Sequence, residues 1–451
     1  MKHLLSLALV LFAAPLFAAE PGWKAGFAQV KITPDKPMWM SGYSSRTGPA
    51  EGTEIDLWAK AAAFQAADGH SFVLVTLDLV GIDRDTSQAI GKKIMAKHQL
   101  PREALAISVS HTHCGPVVGK NLRSMYFFDD AQGKLVDAYT EALPGLILKA
   151  VDDAFAALEP MKLSWATGTS GFAVNRRENK EVDVPMIREK KLLKGPVDYD
   201  VPVLAAHDAK GKLKGIVFGY ACHATVMSYM KWSGDYPGFA MLELEKAHPG
   251  AVAMFFAGCG ADQNPLPRRE VALAKNYGKQ LADSVNAVLA KPMTPLASGF
   301  AASYREIDLP LKEVPTREEL IKQSLAADKY IAARAKILLK ELDAGRDIPA
   351  TYPYPIQTWR LGTDLTLVVL GGEVVVDYSL RLKHDLGGNL WVMAYANDVM
   401  AYIPSARVLK EGGYEGASSM IFYGLPSVWG DKVEDLIATE VSKQVKQARG
   451  K

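Results

Sequence analysis

Cysteine is scarce in this chain, three among 451 residues, which excludes a disulfide-stapled scaffold. Charge of one sign is as scarce. The 52 lysines and arginines nearly balance 50 aspartates and glutamates, for a formal net charge of +2. No basic cluster stands out from that mixture, so the sequence gives no support for nucleic acid or an anionic membrane surface as a partner. Beyond the first nineteen residues no stretch approaches the ~20 apolar residues of a membrane crossing. Internal repeats and low-complexity segments are missing as well. Histidine is rare, nine in all, which gives weight to any place where two occur together.

The chain opens with Lys2 and His3, an apolar core from Leu4 to Leu11, and Ala18-Ala19 before Glu20-Pro21. This order predicts a signal peptide over 1–19 and an exported product, periplasmic or secreted. Residues 20–451 are long enough for one large domain or two ordinary ones.

Short apolar strands alternate with helical periodicities throughout. Strands are expected at 25–32, 58–65, 72–79, 104–110, 162–166, 201–207, 214–221, 251–256, 300–307, 356–361, 365–370 and 390–396. Helices are expected at 86–98, 136–157, 238–247, 271–289 and 432–447. The longest runs over 316–343, with Thr316 and Glu319 as a capping box and Gly345 as its stop. The pattern predicts an α/β fold of mixed α+β type, with mixed β-sheets covered by helices in a single large domain. Residues 176–194 are polar and aperiodic, hence a long loop, and such loops in compact domains are usually functional.

The most informative stretch is His111-Thr112-His113-Cys114-Gly115-Pro116. It follows an apolar strand, and the two-residue period of a strand would put both imidazoles on the face of Ile107 and Val109. Two imidazoles where a strand stops suit a metal such as zinc, and equally suit a hydrogen-bonded pair under a loop. His223 ends a second apolar strand. A third leads into Gly258-Cys259-Gly260-Ala261-Asp262-Gln263-Asn264-Pro265, where glycines allow backbone to approach a ligand or simply make a tight turn. Glu373 follows an apolar strand and Gly371-Gly372, placed either to ligate a metal or to cap the next helix. All three cysteines lie in these motifs and read as small buried side chains more readily than as thiolate ligands. Tyr402 and Tyr414 stand twelve positions apart, and each alone reads as amphipathic packing.

Taken in order, these motifs resemble the neutral/alkaline ceramidase family, in its zinc-bearing N-terminal catalytic domain. The likeness runs from Ile32-Thr33-Pro34 and Ser41-Gly42-Tyr43 to Tyr414-Glu415-Gly416-Ala417-Ser418. It implies one zinc ion per chain, held by His111, His223, Glu373 and Tyr402, with His113, Arg176 and Tyr414 on the substrate side. Two departures limit the inheritance. The family's loop serine has no counterpart, since Asn264 occupies the closest slot, and the family's immunoglobulin-like C-terminal domain is expected to be absent.

The resemblance therefore implies an exported zinc-dependent hydrolase of an N-acyl amide bond, ceramide-like or other. The alternatives are an ester- or glycan-directed zinc hydrolase, or a metal-containing binding protein without turnover. A small-molecule, lipid or glycan substrate is expected, and no protein partner is inferable. In the hydrolase reading Tyr414 and Arg176 stabilise a developing oxyanion and His113 passes a proton to the leaving group. Asp78 and Asp235 are expected to orient the ligand imidazoles.

Overall fold

The computed structural model describes residues 22–450, so the expected signal peptide lies outside the described residues. Eight strands form the main sheet: β1 (Trp23–Lys31), β2 (Trp58–Gln65), β3 (Ser71–Leu77), β4 (Leu105–Val109), β5 (Glu159–Thr169), β6 (Asp200–Asp208), β7 (Leu213–Tyr220) and β8 (Val252–Ala257). Their order is β8-β7-β6-β5-β1-β2-β3-β4, with the short Thr294–Pro295 strand added on β5. The edge pairs β3/β4 and β7/β8 are parallel and the pairs between them antiparallel. A second sheet follows, in the order β9 (Phe300–Pro310), β10 (Thr351–Leu361), β11 (Leu365–Leu370) and β12 (Asn389–Met393). The mixed sheets and flanking helices are those the alternation predicts.

The main sheet curls until its two edges meet. β8 packs against β3 and β4, the strands at the far end of the order. Lys60 on β2 is buried inside the curl, where its Nζ donates to Ala253 O of β8 at 2.9 Å and to Glu245 Oε1 at 2.6 Å. The residues just after β12 bridge the remaining gap. Ala394 N donates to Ala257 O, Val109 N donates to Tyr395 O, and Asn397 N donates to Ile107 O. These bonds engage edge donors and acceptors of both strands within the fold. Strands buried on both faces, such as β4 and most of β7, read in the sequence as continuous apolar runs for this reason.

Helices cover the outside. α1 (Arg84–His98) lies on α2 (Asp130–Ala156), which packs on β1 and β2. α3 (Asp235–Ala247) packs on α4 (Val271–Leu289), which covers β5 and β6. The expected helix over 316–343 is two helices, α5 (Arg317–Ser324) and α6 (Lys329–Asp343). The capping box at Thr316 and Glu319 is present, but Asp328 starts a second helix by accepting from the backbone of Tyr330 and Ile331. α7 (Val376–Leu386) and α8 (Val433–Ala448) follow, α8 lying on the second sheet. α2 begins six residues before its expected start, because Asp129 caps it at Gln132 N.

Candidate metal centre

The site forms where the curled edges meet. β4 stops at Val109, and His111 has a left-handed backbone with φ of 59°. The strand alternation expected to carry both imidazoles inward is therefore already broken at His111. The loop brings them together instead, with ring centroids 4.8 Å apart and facing Nε2 atoms at 3.1 Å. The Ser41-Gly42-Tyr43 motif explains itself here. A Cβ at Gly42 would fall 2.5 Å from the His113 ring, and the Tyr43 ring packs on that imidazole at 4.7 Å. His223 arrives from the end of β7, with its ring 4.7 Å from that of His111. His111, His113 and His223 thus form a cluster whose ring nitrogens lie within 4.8 Å of one another.

Backbone carbonyls fix two of these rings. His111 Nδ1 lies 2.6 Å from Val80 O, and His223 Nδ1 lies 2.8 Å from Gly260 O. A carbonyl only accepts, so each Nδ1 carries the proton and each neutral ring keeps its lone pair on Nε2. Burial, followed by the nearby Arg176 charge, pushes the His223 imidazole down to about 4. Burial and the neighbouring His111 and His223 rings also hold His113 well below its ordinary value. Gly260 must be glycine for the close approach, because a Cβ there would lie 2.4 Å from Cys222 N.

The oxygen donors come from the second half of the chain. The strand pair Glu373–Val374 and Tyr402–Ile403 is parallel and aligns Glu373 directly with Tyr402. Glu373 Oε2 lies 3.1 Å from both His111 Nε2 and His223 Nε2 and has no hydrogen-bond donor. Tyr402 Oη lies 3.2 Å from His223 Nε2. Two imidazole lone pairs and an orphaned carboxylate oxygen, all buried, repel one another unless a cation lies among them. The residues therefore fit a metal ion, and nitrogen with oxygen donors suits zinc chemistry.

Arg176 borders this group. Its Nη2 donates to Tyr402 Oη at 3.0 Å, its Nε to Glu415 Oε1 at 2.7 Å, and its Nη1 to Asn264 Oδ1 at 3.3 Å. Its guanidinium also lies 5.7 Å from the ring centroids of Tyr402 and Tyr414. Tyr414 opens a π-helical turn, remains 39% exposed, and packs its ring 5.2 Å from that of Tyr402. A cleft of about 510 Å³ leads away from Arg176, Asn264 and Tyr414. Its walls are polar and ion-paired, with Arg177 on Glu415 and Arg268 on Glu181.

All seven expected site residues converge, and His113 joins the metal-competent cluster directly. Other expectations need correction. Asp78 accepts from Trp58 N, and Asp235 accepts from Met227 N and Tyr236 N, so neither orients a ligand imidazole. That task falls to the carbonyls of Val80 and Gly260. The helix after Glu373 is capped by Asp262, whose Oδ1 accepts from Val376 N at 2.8 Å, which leaves the glutamate free for another role. The three cysteines are buried and free and lie outside the histidine cluster. The 176–194 stretch contains a helical turn at Glu181–Asp183 and a short helix at Val184–Glu189. Sequence reasoning missed Tyr423, which hydrogen-bonds Glu373 Oε1. Within Met420-Ile421-Phe422-Tyr423 it carries the signal of a packing tyrosine and no more.

Comparison with known proteins bears on the family and the fold. The sequence profile described as "Neutral/alkaline non-lysosomal ceramidase, N-terminal" matches residues 23–264. Neutral ceramidase of Pseudomonas aeruginosa is 25% identical over 268 residues, which cover 56% of this chain and 38% of that protein. The matched part thus spans little more than a third of the length of that curated relative. Two solved structures share the fold over 95% of this chain and 75% of theirs. One is titled "Ceramidase complexed with C2", with a TM-score of 0.74 at 19% identity. The other is neutral ceramidase from Pseudomonas aeruginosa, with a TM-score of 0.72 at 20% identity.

Proposed function

The chain belongs to the neutral/alkaline non-lysosomal ceramidase family, and from that membership we propose that it is an exported zinc-dependent hydrolase of N-acyl amide bonds, ceramide-like or other. The observation that carries the zinc is the convergence of His111 Nε2, His223 Nε2 and the orphaned Glu373 Oε2, with Tyr402 Oη beside them. These four residues would hold one zinc ion per chain. When bound, zinc polarises a carbonyl and lowers the pKa of water to about 7. Residues 20–451 act as one catalytic domain in this reading, supported by a main hydrophobic core that runs from Trp23 to Val445. Among the described residues no helix is long and apolar enough to cross a membrane.

The remaining residues act on the substrate. Attack on an amide carbonyl places negative charge on its oxygen, and preset donors at that position lower the barrier. Tyr414 offers a half-exposed phenol. Arg176 has three of its N–H groups engaged by Tyr402, Glu415 and Asn264, and a guanidinium carries five. Its remaining donors can face the cleft. His113, held neutral where it lies, can take a proton from the attacking water and pass it to the departing nitrogen. Asn264 accepts from Arg176 in the slot where the family carries serine, so long-chain ceramide is expected to be a poor substrate compared with short soluble amides.

The decisive experiment combines metal content and turnover. Chelator-free protein should contain about one zinc per chain, as one such site implies, and should hydrolyse short N-acyl amines faster than ester or glycoside analogues. A metal-free protein, or one that cleaves only esters or glycosides, overturns the reading. Zinc with tight ligand retention and no turnover on any of these substrates assigns the binding-protein alternative.

A further inference from the structure

A second cavity, of about 570 Å³, opens where the two sheets meet, between α1, the edge strand β4 and strand β9. None of the candidate metal ligands lines it. Met95, Ile107 and Pro355 give it an apolar wall, and Arg84, Lys92, Arg102 and Arg305 stand around that wall. Sites for small organic ligands have this size and this make-up, an apolar body with a few placed polar groups.

The charges in this cavity do not balance. Of the two acids on its wall, Glu306 is engaged by Arg84 Nη2 at 2.6 Å and by Tyr304 Oη at 2.8 Å. Asp398 Oδ2 accepts from Tyr352 Oη at 2.7 Å, while its buried Oδ1 has no partner. Burial raises that carboxyl to about 7, and in its protonated form the free oxygen is a donor. Arg102 is the cation held most firmly. Its guanidinium lies 4.0 Å from the Tyr304 ring centroid, and its Nη1 donates to Leu105 O at 2.7 Å. Among the described residues no carboxylate forms an ion pair with it, and burial draws its pKa below the ordinary value. Lys92 is exposed beside it, and Arg305 reaches Glu440 only at 3.9 Å. A preset guanidinium without a counter-charge, beside an apolar wall, is the complement of an anionic head on an apolar tail.

We propose that this cavity binds a small amphipathic anion, a carboxylate or phosphate head on an apolar tail, with the head on Arg102 and Lys92 and the tail against Met95 and Ile107. Asn397 and Asp398 form part of its wall and also bond to Ile107 and to Gly372 N. The site therefore adjoins the segments that carry His111 and Glu373 without sharing a residue with the metal centre. Binding here does not depend on which bond the metal centre cleaves.

The test is calorimetric titration of the full protein with octanoate, octyl phosphate, inorganic phosphate and octanol. Octanoate or octyl phosphate should bind and raise the melting temperature, the tighter of the two identifying the head. Inorganic phosphate and octanol each lack one half of the ligand and should bind at least about tenfold more weakly. Arg102→Met should weaken the amphipathic anion by at least about tenfold, the scale of a hydrogen-bonded charge. Lys92→Gln should weaken it by about threefold, as for an exposed ion pair, and serves if Arg102→Met fails to fold. His223→Ala should leave the affinity unchanged, because the cavity lies apart from the histidine cluster. Failure of both amphipathic anions to bind overturns the proposal, as does equal binding by wild type and both cation variants. Octanol binding as tightly as octanoate overturns it too and leaves an apolar cavity only. Binding that disappears in His223→Ala overturns it and places the anion at the metal centre.

Discussion

The nitrogen side and the oxygen side of the candidate centre are built in opposite ways. His111 and His223 are oriented by main-chain carbonyls, Val80 O and Gly260 O, at the edges of the main sheet. Glu373 and Tyr402 are oriented by other side chains, Tyr423 on the carboxylate and Arg176 on the phenol. Arg176 is in turn held by Glu415 and Asn264. A carbonyl cannot be removed by substitution, so the nitrogen side is robust to all but loss of the imidazoles themselves. The oxygen side hangs on a relay of side chains, each of which a single mutation can break. Tuning of such a site through evolution or design should therefore act on the oxygen side.

The largest effect should come from the nitrogen side. His223→Ala removes one of the proposed ligands, and on the zinc reading elemental analysis should show the metal falling from about one per chain to a small residue, with hydrolysis lost. Retention of full zinc by that variant would break the comparison outright. Next, Arg176→Lys keeps a charge but not the fork that spans Tyr402, Glu415 and Asn264. Turnover per bound zinc should drop by ~10²–10³-fold, as for loss of an oxyanion donor.

Tyr414→Phe should cost a similar or slightly smaller factor while leaving zinc content and melting temperature unchanged. A fall in stability with normal activity per folded molecule would return Tyr414 to a packing role. His113→Gln should slow amides more than activated esters, whose leaving groups need no proton. Tyr423→Phe sharpens the comparison further. Freed at Oε1, Glu373 can rotate, and zinc affinity measured by competition with a chelator should weaken by ~10–100-fold. An unchanged affinity would show that the strand pairing of Glu373 with Tyr402 suffices.

The smallest effect concerns stability and pH. Asp398, whose main-chain carbonyl accepts from Gly372 N beside Glu373, is buried, and burial raises its carboxyl to about 7. The folded state then holds this proton more tightly than the unfolded chain, so the stabilisation is complete below the unfolded value near 4 and is lost as pH rises to about 7. Asp398→Asn should flatten that decline, with denaturation at pH 8 showing a gain on the order of 1–2 kcal/mol relative to pH 4. An identical pH profile in the variant would mean that Asp398 ionises normally.

Much of the fold was legible because two periodicities report burial directly. Each expected strand is present within a few residues, since alternating or continuous apolar runs are what a half-buried or fully buried strand requires. Helix breaks were less legible. The single helix expected over 316–343 is interrupted because the Asp328 side chain competes for the backbone, a local choice that hydrophobic periodicity does not register. The site residues were legible as motifs at strand ends, through types and spacing that match a known family.

The sequence by itself thus determined the strands, the family and seven of the residues that converge. Only the tertiary structure decided how they converge. His111 and His223 follow strands at or beside opposite edges of an eight-strand order, and no local pattern encodes the curl that brings their rings to 4.7 Å. Nor does spacing reveal that His111 leaves the strand geometry, that carbonyls and not aspartates orient the rings, or that Tyr423 holds Glu373. The physical reason is that periodicity reports which face of an element is buried, whereas hydrogen-bond partners and sheet curvature depend on elements far apart in the chain.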